Sequence, residues 1–174
     1  MAPTPTAALS PPPLLLFDGH CNLCSTCVNA FMVLDRRFAA DGSSGPRLKL
    51  ASLQSPVAAQ VLQSNGYRPD EFIVPKAPQE ESVALISLCP LKVYVRSTAI
   101  LQATAHLAPW YIAVLCYLAM LIPTVVRDFV YRQVARNRIL LFGSTETCRM
   151  ATKQDKMWFL GADEVSLYSG AITQ

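Results

Sequence analysis

The stretch Leu14-Leu15-Leu16-Phe17-Asp18-Gly19-His20-Cys21-Asn22-Leu23-Cys24 limits what this chain can fold into more than any other. Four apolar residues that stop at an Asp-Gly turn read as a short buried strand, Leu14 to Phe17. Beyond the turn, Cys27, Phe31, Leu34 and Phe38 recur at i, i+4, i+7 and i+11. That spacing predicts a helix over Ser25 to Phe38 with those four side chains facing inward. Strand, turn and helix together carry Cys21 and Cys24 to the start of the helix. A Cys-x-x-Cys pair has a redox mechanism there. Unpaired backbone N–H groups and the positive end of the helix dipole favour a thiolate, so the Cys21 pKa is expected below the free value of about 8.5. Cys21 is the expected attacking thiolate, and Cys24, one turn further on, the resolving thiol that closes a disulfide.

At 174 residues the chain reads as one domain with a core that needs no disulfide or metal staple. It is 52% hydrophobic and only 16% charged, which leaves room for a membrane contact or a sticky surface. A net charge of +3 without any Lys/Arg run excludes a nucleic-acid reader. Six cysteines, three clustered and three scattered, are too few for a secreted disulfide scaffold and fit a reducing intracellular compartment. Residues 1–13 hold five prolines and no charge, which predicts a disordered leader. It lacks the pattern of a secretory signal or a mitochondrial presequence, and a plastid-type leader is left open.

In chain order, Leu48 to Leu53 alternates and predicts a second strand parallel to the first. Ser55-Pro56 opens a short helix over Val57 to Gln63, stopped by Asn65-Gly66. Ser82 to Leu88 and Leu91 to Arg96 predict an antiparallel hairpin, and Ser97 is placed to cap a helix over Thr98 to Leu107. The order β-α-β-α-β-β-α is that of a thioredoxin-like α/β fold, a three-layer core complete by residue 108. An added C-terminal helical segment begins near residue 109. Trp110 to Ile122 is almost wholly apolar, but Pro123 cuts it short of the roughly 20 residues a membrane span requires, so a buried helix is expected. Thr124 to Asn137 is predicted as an amphipathic helix with Val126, Phe129, Val130 and Val134 as its apolar stripe and an Asp128–Arg132 pair on its surface. Ile139 to Phe142 is predicted extended, and Thr152 to Asp155 resembles a capping box before a last helix with Met157, Phe159 and Leu160. The domain is expected to span 14–160, followed by a flexible tail over 161–174.

Asp18 admits two readings: a turn residue bonded to the following backbone, or a carboxylate that accepts the Cys24 proton during resolution. Cys27, Cys89 and Cys116 read as core thiols, and His20 as a loop residue. A third cysteine on the same helix does not make a metal cage, and no second ligand pair exists, so neither metal nor organic cofactor is expected. Near the C-terminus Cys148 reads either as a scattered thiol or as an additional redox partner. Arg127, Arg136 and Arg138 cannot all be buried bare, and Asp18 is one candidate partner for them.

Asp18, Cys21 and Cys24 form an Asp-x-x-Cys-x-x-Cys motif, and the chain resembles the DCC family of thiol-disulfide oxidoreductases named for it. Tyr94 to Ile100, Ile122-Pro123, Arg127 to Tyr131, Val134 to Arg138, Phe142-Gly143 and Cys148 are similar to further blocks of that family, so the resemblance covers about Leu14 to Leu160. It implies a thioredoxin-like fold, disulfide reduction or exchange, and accessory roles for Cys148, Arg136 and Arg138. The expected partners are a protein or small-molecule disulfide and a thiol reductant such as glutathione or a thioredoxin-type protein, with the chain a monomer. Where thioredoxins carry a cis-proline before the third strand, this chain has Ser82, which argues against their mode of peptide docking. The alternative reading is a catalytically silent thioredoxin-like protein that acts in membrane association or protein interaction.

Overall fold

The computed structural model describes residues 11–19, 22–38, 45–66, 68, 83–88, 91–143 and 155–168. Four strands, β1 (Leu14–Phe17), β2 (Lys49–Ser52), β3 (Val83–Leu88) and β4 (Leu91–Val95), form one mixed sheet in the order β2-β1-β3-β4. The predicted crossover is present: β1 runs parallel to β2 with Leu15 opposite Leu50. The predicted hairpin is also present, and β3 runs antiparallel to both β1 and β4. As a central strand, β1 is buried on both faces, which explains why its sequence is continuously apolar rather than alternating.

Its alternation divides the core in two. Leu15 and Phe17 face α1 (Asn22–Phe38) and α3 (Arg96–Leu107), together with Val28, Phe31 and Leu107. Leu14 and Leu16 face α2 (Pro56–Ser64) and the short α6 (Val165–Tyr168), with Val61, Leu62 and Tyr168. Helix, sheet and helix form the three layers of a thioredoxin-like α/β fold. Ser55 caps α2, its hydroxyl accepting the Ala58 N–H at 3.2 Å, with Pro56 in the first helical position.

The inner face of α1 differs from the predicted stripe. Cys24, Val28, Phe31, Met32 and Asp35 are buried, while Cys27 is exposed and does not belong to the core. The helix is rotated because a carboxylate, not an apolar group, completes its inner face. Asp35 accepts from the Arg47 backbone N–H (3.1 Å), Arg47 Nε (3.0 Å) and Trp158 Nε1 (2.8 Å). These three donors replace the water a buried carboxylate would otherwise lose. Cys116 is buried as expected, and burial pushes its thiol pKa up.

Several C-terminal expectations also change. The segment Ile139 to Phe142 is not extended but continues α5 (Thr124–Phe142), which ends where Gly143 takes φ +76°, the left-handed cap glycine permits. Instead of a helix, Trp158 to Leu160 lies along β2. Leu50 N–H donates to Trp158 O at 2.7 Å and Leu160 N–H to Leu50 O at 2.9 Å, because the edge of β2 offers unpaired backbone groups. Residues 162–168, expected to fray, form a 3₁₀ turn (Ala162–Glu164) and α6, with Val165 and Tyr168 buried. Tyr168 Oη donates to Pro12 O at 2.7 Å, Asn65 Nδ2 donates to Tyr168 O, and Lys49 pairs with Glu164 at 2.7 Å. Pro12 and Pro13, assigned by sequence to the leader, are thus bonded to the domain, Pro13 O accepting from Lys49 N–H.

The largest departure is α4 (Trp110–Met120), predicted to be buried. Only its Cys116 is buried, and Trp110 is 79% exposed. The reason is geometric: both faces of the sheet are already covered, so α4 packs against α3 alone among the principal contacts. The apolar stripe predicted for α5 is likewise turned outward at Val126, Phe129 and Val130. No single helix among the described residues is long and apolar enough to cross a membrane, and α4 and α5 meet at a bend of 105°.

Candidate functional site

β1 ends at Phe17, directly before Asp18, and α1, which carries Cys24, begins at Asn22. Gln54, just past β2, holds Asp18 and Gly19 from the neighbouring strand. Its Oε1 accepts the Gly19 N–H at 3.0 Å, and its Nε2 donates to Asp18 Oδ1 at 2.8 Å. The other Asp18 oxygen, Oδ2, accepts from Arg138 Nη2 at 2.6 Å. The carboxylate is therefore shared between a glutamine of the sheet and an arginine of α5, 120 residues away in sequence. This interaction draws the added helical segment onto the Asp-x-x-Cys-x-x-Cys motif.

Arg138 is only 5% exposed. It sits on one face of α5 with Tyr131, Val134 and Ala135, residues spaced to line up along a helix. That face, α1, β1 and α3 enclose a cavity of about 240 Å³. Cys24 and Cys27 lie in its wall, Cys24 buried and Cys27 exposed toward the mouth. A second contact holds the start of α1: Asn22 Nδ2 donates to Phe142 O at 3.0 Å, beside Gly143. A Cβ on Gly143 would lie 3.3 Å from that Nδ2, so the glycine serves both the cap and this approach.

A further polar cluster joins α3 to α5. Ser97 Oγ donates to Asp128 Oδ1 at 2.6 Å, and Arg96 Nη1 lies 3.7 Å from Asp128 Oδ2. Arg127 Nη1 donates to Thr98 Oγ1 at 3.3 Å. Two expectations are corrected here. Ser97 does not cap α3, whose N-cap is Val95 with no side-chain bond, because its hydroxyl is committed to Asp128. Arg132 does not pair with the Asp128 carboxylate but donates to its main-chain oxygen at 3.3 Å. Arg96 adopts φ +55°, an uncommon conformation for a residue with a side chain, at the junction of β4 and α3.

Of the predicted site residues, Cys24 and Arg138 line one cavity, and Asp18 is joined to it through its pair with Arg138. Arg136 is exposed on α5 and does not line it. Cys21, Cys148, His20 and Cys89 lie outside the described residues, as does Ser82. Sequence reasoning missed Gln54, Asn22 and Asp35. Gln54 follows directly on the predicted second strand and parallel pairing puts that strand beside β1, so the topology could have pointed to it.

Residues 15–144 match the DCC1-like thiol-disulfide oxidoreductase family. The chain is 33% identical over 156 residues to YuxK of Bacillus subtilis, covering 89% of this chain and 98% of that protein. It is 30% identical over 139 residues to the chloroplastic DCC family protein At1g52590 of Arabidopsis thaliana, covering 79% of this chain and 69% of that protein. No solved structure matches it. A thioredoxin-like sheet, a Cys-x-x-Cys sequence whose second cysteine lies in the first turn of α1 and the family match over most of the chain agree, and the protein belongs to the DCC1-like thiol-disulfide oxidoreductase family.

Proposed function

We propose that the protein is a thiol-disulfide oxidoreductase that uses Cys21 and Cys24 as a reversible dithiol. The observation that carries this reading is Cys24, buried in the first turn of α1 in the wall of a cavity that is also lined by Arg138, the partner of Asp18. In the reducing direction the Cys21 thiolate attacks a substrate disulfide, its S–S bond breaks, and one substrate sulfur leaves as a thiol. A mixed disulfide joins Cys21 to the other sulfur. Cys24 then gives up its proton to Asp18 and attacks the Cys21 sulfur, releasing the second substrate thiol and leaving a Cys21–Cys24 disulfide. Two electrons have passed to the substrate, and an external thiol such as glutathione or a thioredoxin-type protein restores the dithiol. With a model disulfide, Cys21→Ser should abolish turnover and Cys24→Ser should accumulate the mixed disulfide. Asp18→Asn, which keeps a hydrogen-bond acceptor but removes the base, should slow resolution at least about tenfold. Wild-type turnover in both cysteine variants would refute the proposal.

A second property is supported by α4 and α5: docking on an anionic lipid surface. Apart from Val33, Met157 and Leu167, every large apolar side chain exposed among the described residues lies between Trp110 and Phe142. A patch of that extent exceeds what a monomeric soluble surface ordinarily shows. Of the four arginines in segment 110–142, Arg138 is buried against Asp18, which leaves Arg127, Arg132 and Arg136 against one aspartate, and Trp110, Tyr111 and Tyr117 are the amphipathic aromatics that suit a headgroup boundary. Flotation with phosphatidylcholine–phosphatidylglycerol vesicles should carry the wild type and release Leu115→Glu/Leu118→Glu. A protein that stays behind and elutes as a dimer would assign the patch to a second copy instead.

A further inference from the structure

Arg138 carries more hydrogen-bonding capacity than its surroundings use. Its Nη2 serves Asp18, but among the described residues Nε and Nη1 are buried without an acceptor. Buried donors of a guanidinium are costly to leave unmade, and this arginine lines a cavity that is otherwise apolar apart from its thiols and the Tyr131 hydroxyl. Its charge is already balanced by Asp18 at 2.6 Å. A second carboxylate would leave a net negative charge in a low-dielectric site, whereas a neutral oxygen acceptor adds none. The missing group is therefore a carbonyl on an apolar body.

The cavity, at about 240 Å³, has room for more than the single aromatic ring that an apolar space of about 150 Å³ admits. Its mouth is marked by Cys27 and Val134, both exposed. Ile100 and Tyr131 are shared with a second apolar groove of about 390 Å³ that runs between α3, α4 and α5 below the exposed patch. An apolar molecule held at the patch has a continuous apolar surface leading to the thiols.

We propose that the cavity beside Cys24 binds a lipophilic neutral carbonyl compound of the quinone class, with Arg138 donating to its carbonyl oxygen. Rested on the dithiol reading, the site gives the enzyme a defined electron acceptor. As Cys21 and Cys24 close to a disulfide they release two electrons and two protons, and a quinone takes up both to become a quinol.

The test uses duroquinone, whose fully methylated ring resists thiol addition, and durene, the same ring without the two carbonyls. Binding to the full-length protein is followed by ligand-observed NMR, in the wild type and in Cys24→Ser, where the Cys21–Cys24 disulfide cannot form. Duroquinone should bind at least about tenfold more tightly than durene in both, the discrimination one hydrogen bond from a charged donor supplies. Val134→Trp should remove binding by filling the mouth, and Arg138→Lys should erase the preference for the carbonyl while keeping a cation beside Asp18. Equal binding of the two compounds to the wild type, or unchanged binding by Val134→Trp, would overturn the site. Duroquinone binding in a protein without disulfide exchange would instead keep the site and remove the dithiol reading. Exchange without duroquinone binding would do the reverse.

Discussion

The sheet with its two covering layers buries nearly every large apolar side chain it carries, whereas α4 and α5 leave most of theirs in solvent. The two regions are equally apolar to the eye. Leu14 to Phe17 is a run of four hydrophobic residues and Trp110 to Met120 a run of eleven apolar ones. What separates them is opportunity. β1 sits between β2 and β3 with a helix layer on each side, while the principal packing partner of α4 among the described residues is α3. Hydrophobicity states what a segment gains from leaving water. It does not state whether the fold has a surface left to receive it.

The residue that joins the regions should show the largest effect. Replacing Arg138 by Leu leaves Asp18 partly buried beside an uncharged neighbour and should lower stability by about 3–5 kcal/mol, read by urea denaturation at unchanged m. If the loss were under about 1 kcal/mol, α5 would not be anchored through this pair. Within the sheet layers, Leu107→Ala removes a fully buried side chain and should cost about 2–5 kcal/mol. In α4, Leu118→Ser should stay within about 0.5 kcal/mol, since that side chain is 54% exposed. A large loss at Leu118 would mean that its face is covered in solution and would break the comparison.

Smaller effects follow from pH at the edge of the α2–α6 layer. Burial and the charge of Glu164 raise the Tyr168 hydroxyl pKa well above its usual value. A group raised in this way favours the fold below its unfolded pKa of about 10 and loses that contribution as pH climbs beyond it. Burial pushes the Glu164 carboxyl up, but the Lys49 hydrogen bond, the Gly161 N–H and the Lys49 charge together bring it below its ordinary value. Its contribution is present above about pH 4.3 and fades as pH falls through the lower folded value. Thermal melts across pH should therefore lose part of their alkaline decline in Tyr168→Phe and part of their acid decline in Glu164→Gln. Identical profiles would detach α6 from the domain's stability.

The pattern of success in the sequence follows the same physics. Strands β1 to β4 and helices α2 and α3 were legible because local signals and final environment agree: Pro56 opens α2, Asn65-Gly66 closes it, and the hairpin falls where two β-rich runs adjoin. The inner face of α1 was misread because Asp35 is a buried carboxylate, and only Arg47 and Trp158, distant in sequence, make it tolerable there. The same holds for Trp158 to Leu160, whose strand-like course depends on the free edge of β2. At the candidate site, Asp18 and Cys24 could be read from one motif, and an arginine partner for Asp18 could be argued from the cost of burying three arginines. That the arginine is Arg138, and that Gln54 completes the carboxylate's bonds, depends on tertiary placement that no local pattern carries.

The central claim is that Cys21 and Cys24 form one reversible redox couple. The most direct test equilibrates the full-length protein in a series of reduced and oxidised glutathione buffers, traps thiols with acid and an alkylating reagent, and maps the peptides by mass spectrometry. The account predicts a Cys21–Cys24 linkage whose fraction rises in one two-electron step across the glutathione range, while Cys27 and Cys116 stay alkylated as thiols. Cys21 and Cys24 remaining unlinked at every ratio, or Cys24 linking to a different cysteine in place of Cys21, would contradict it.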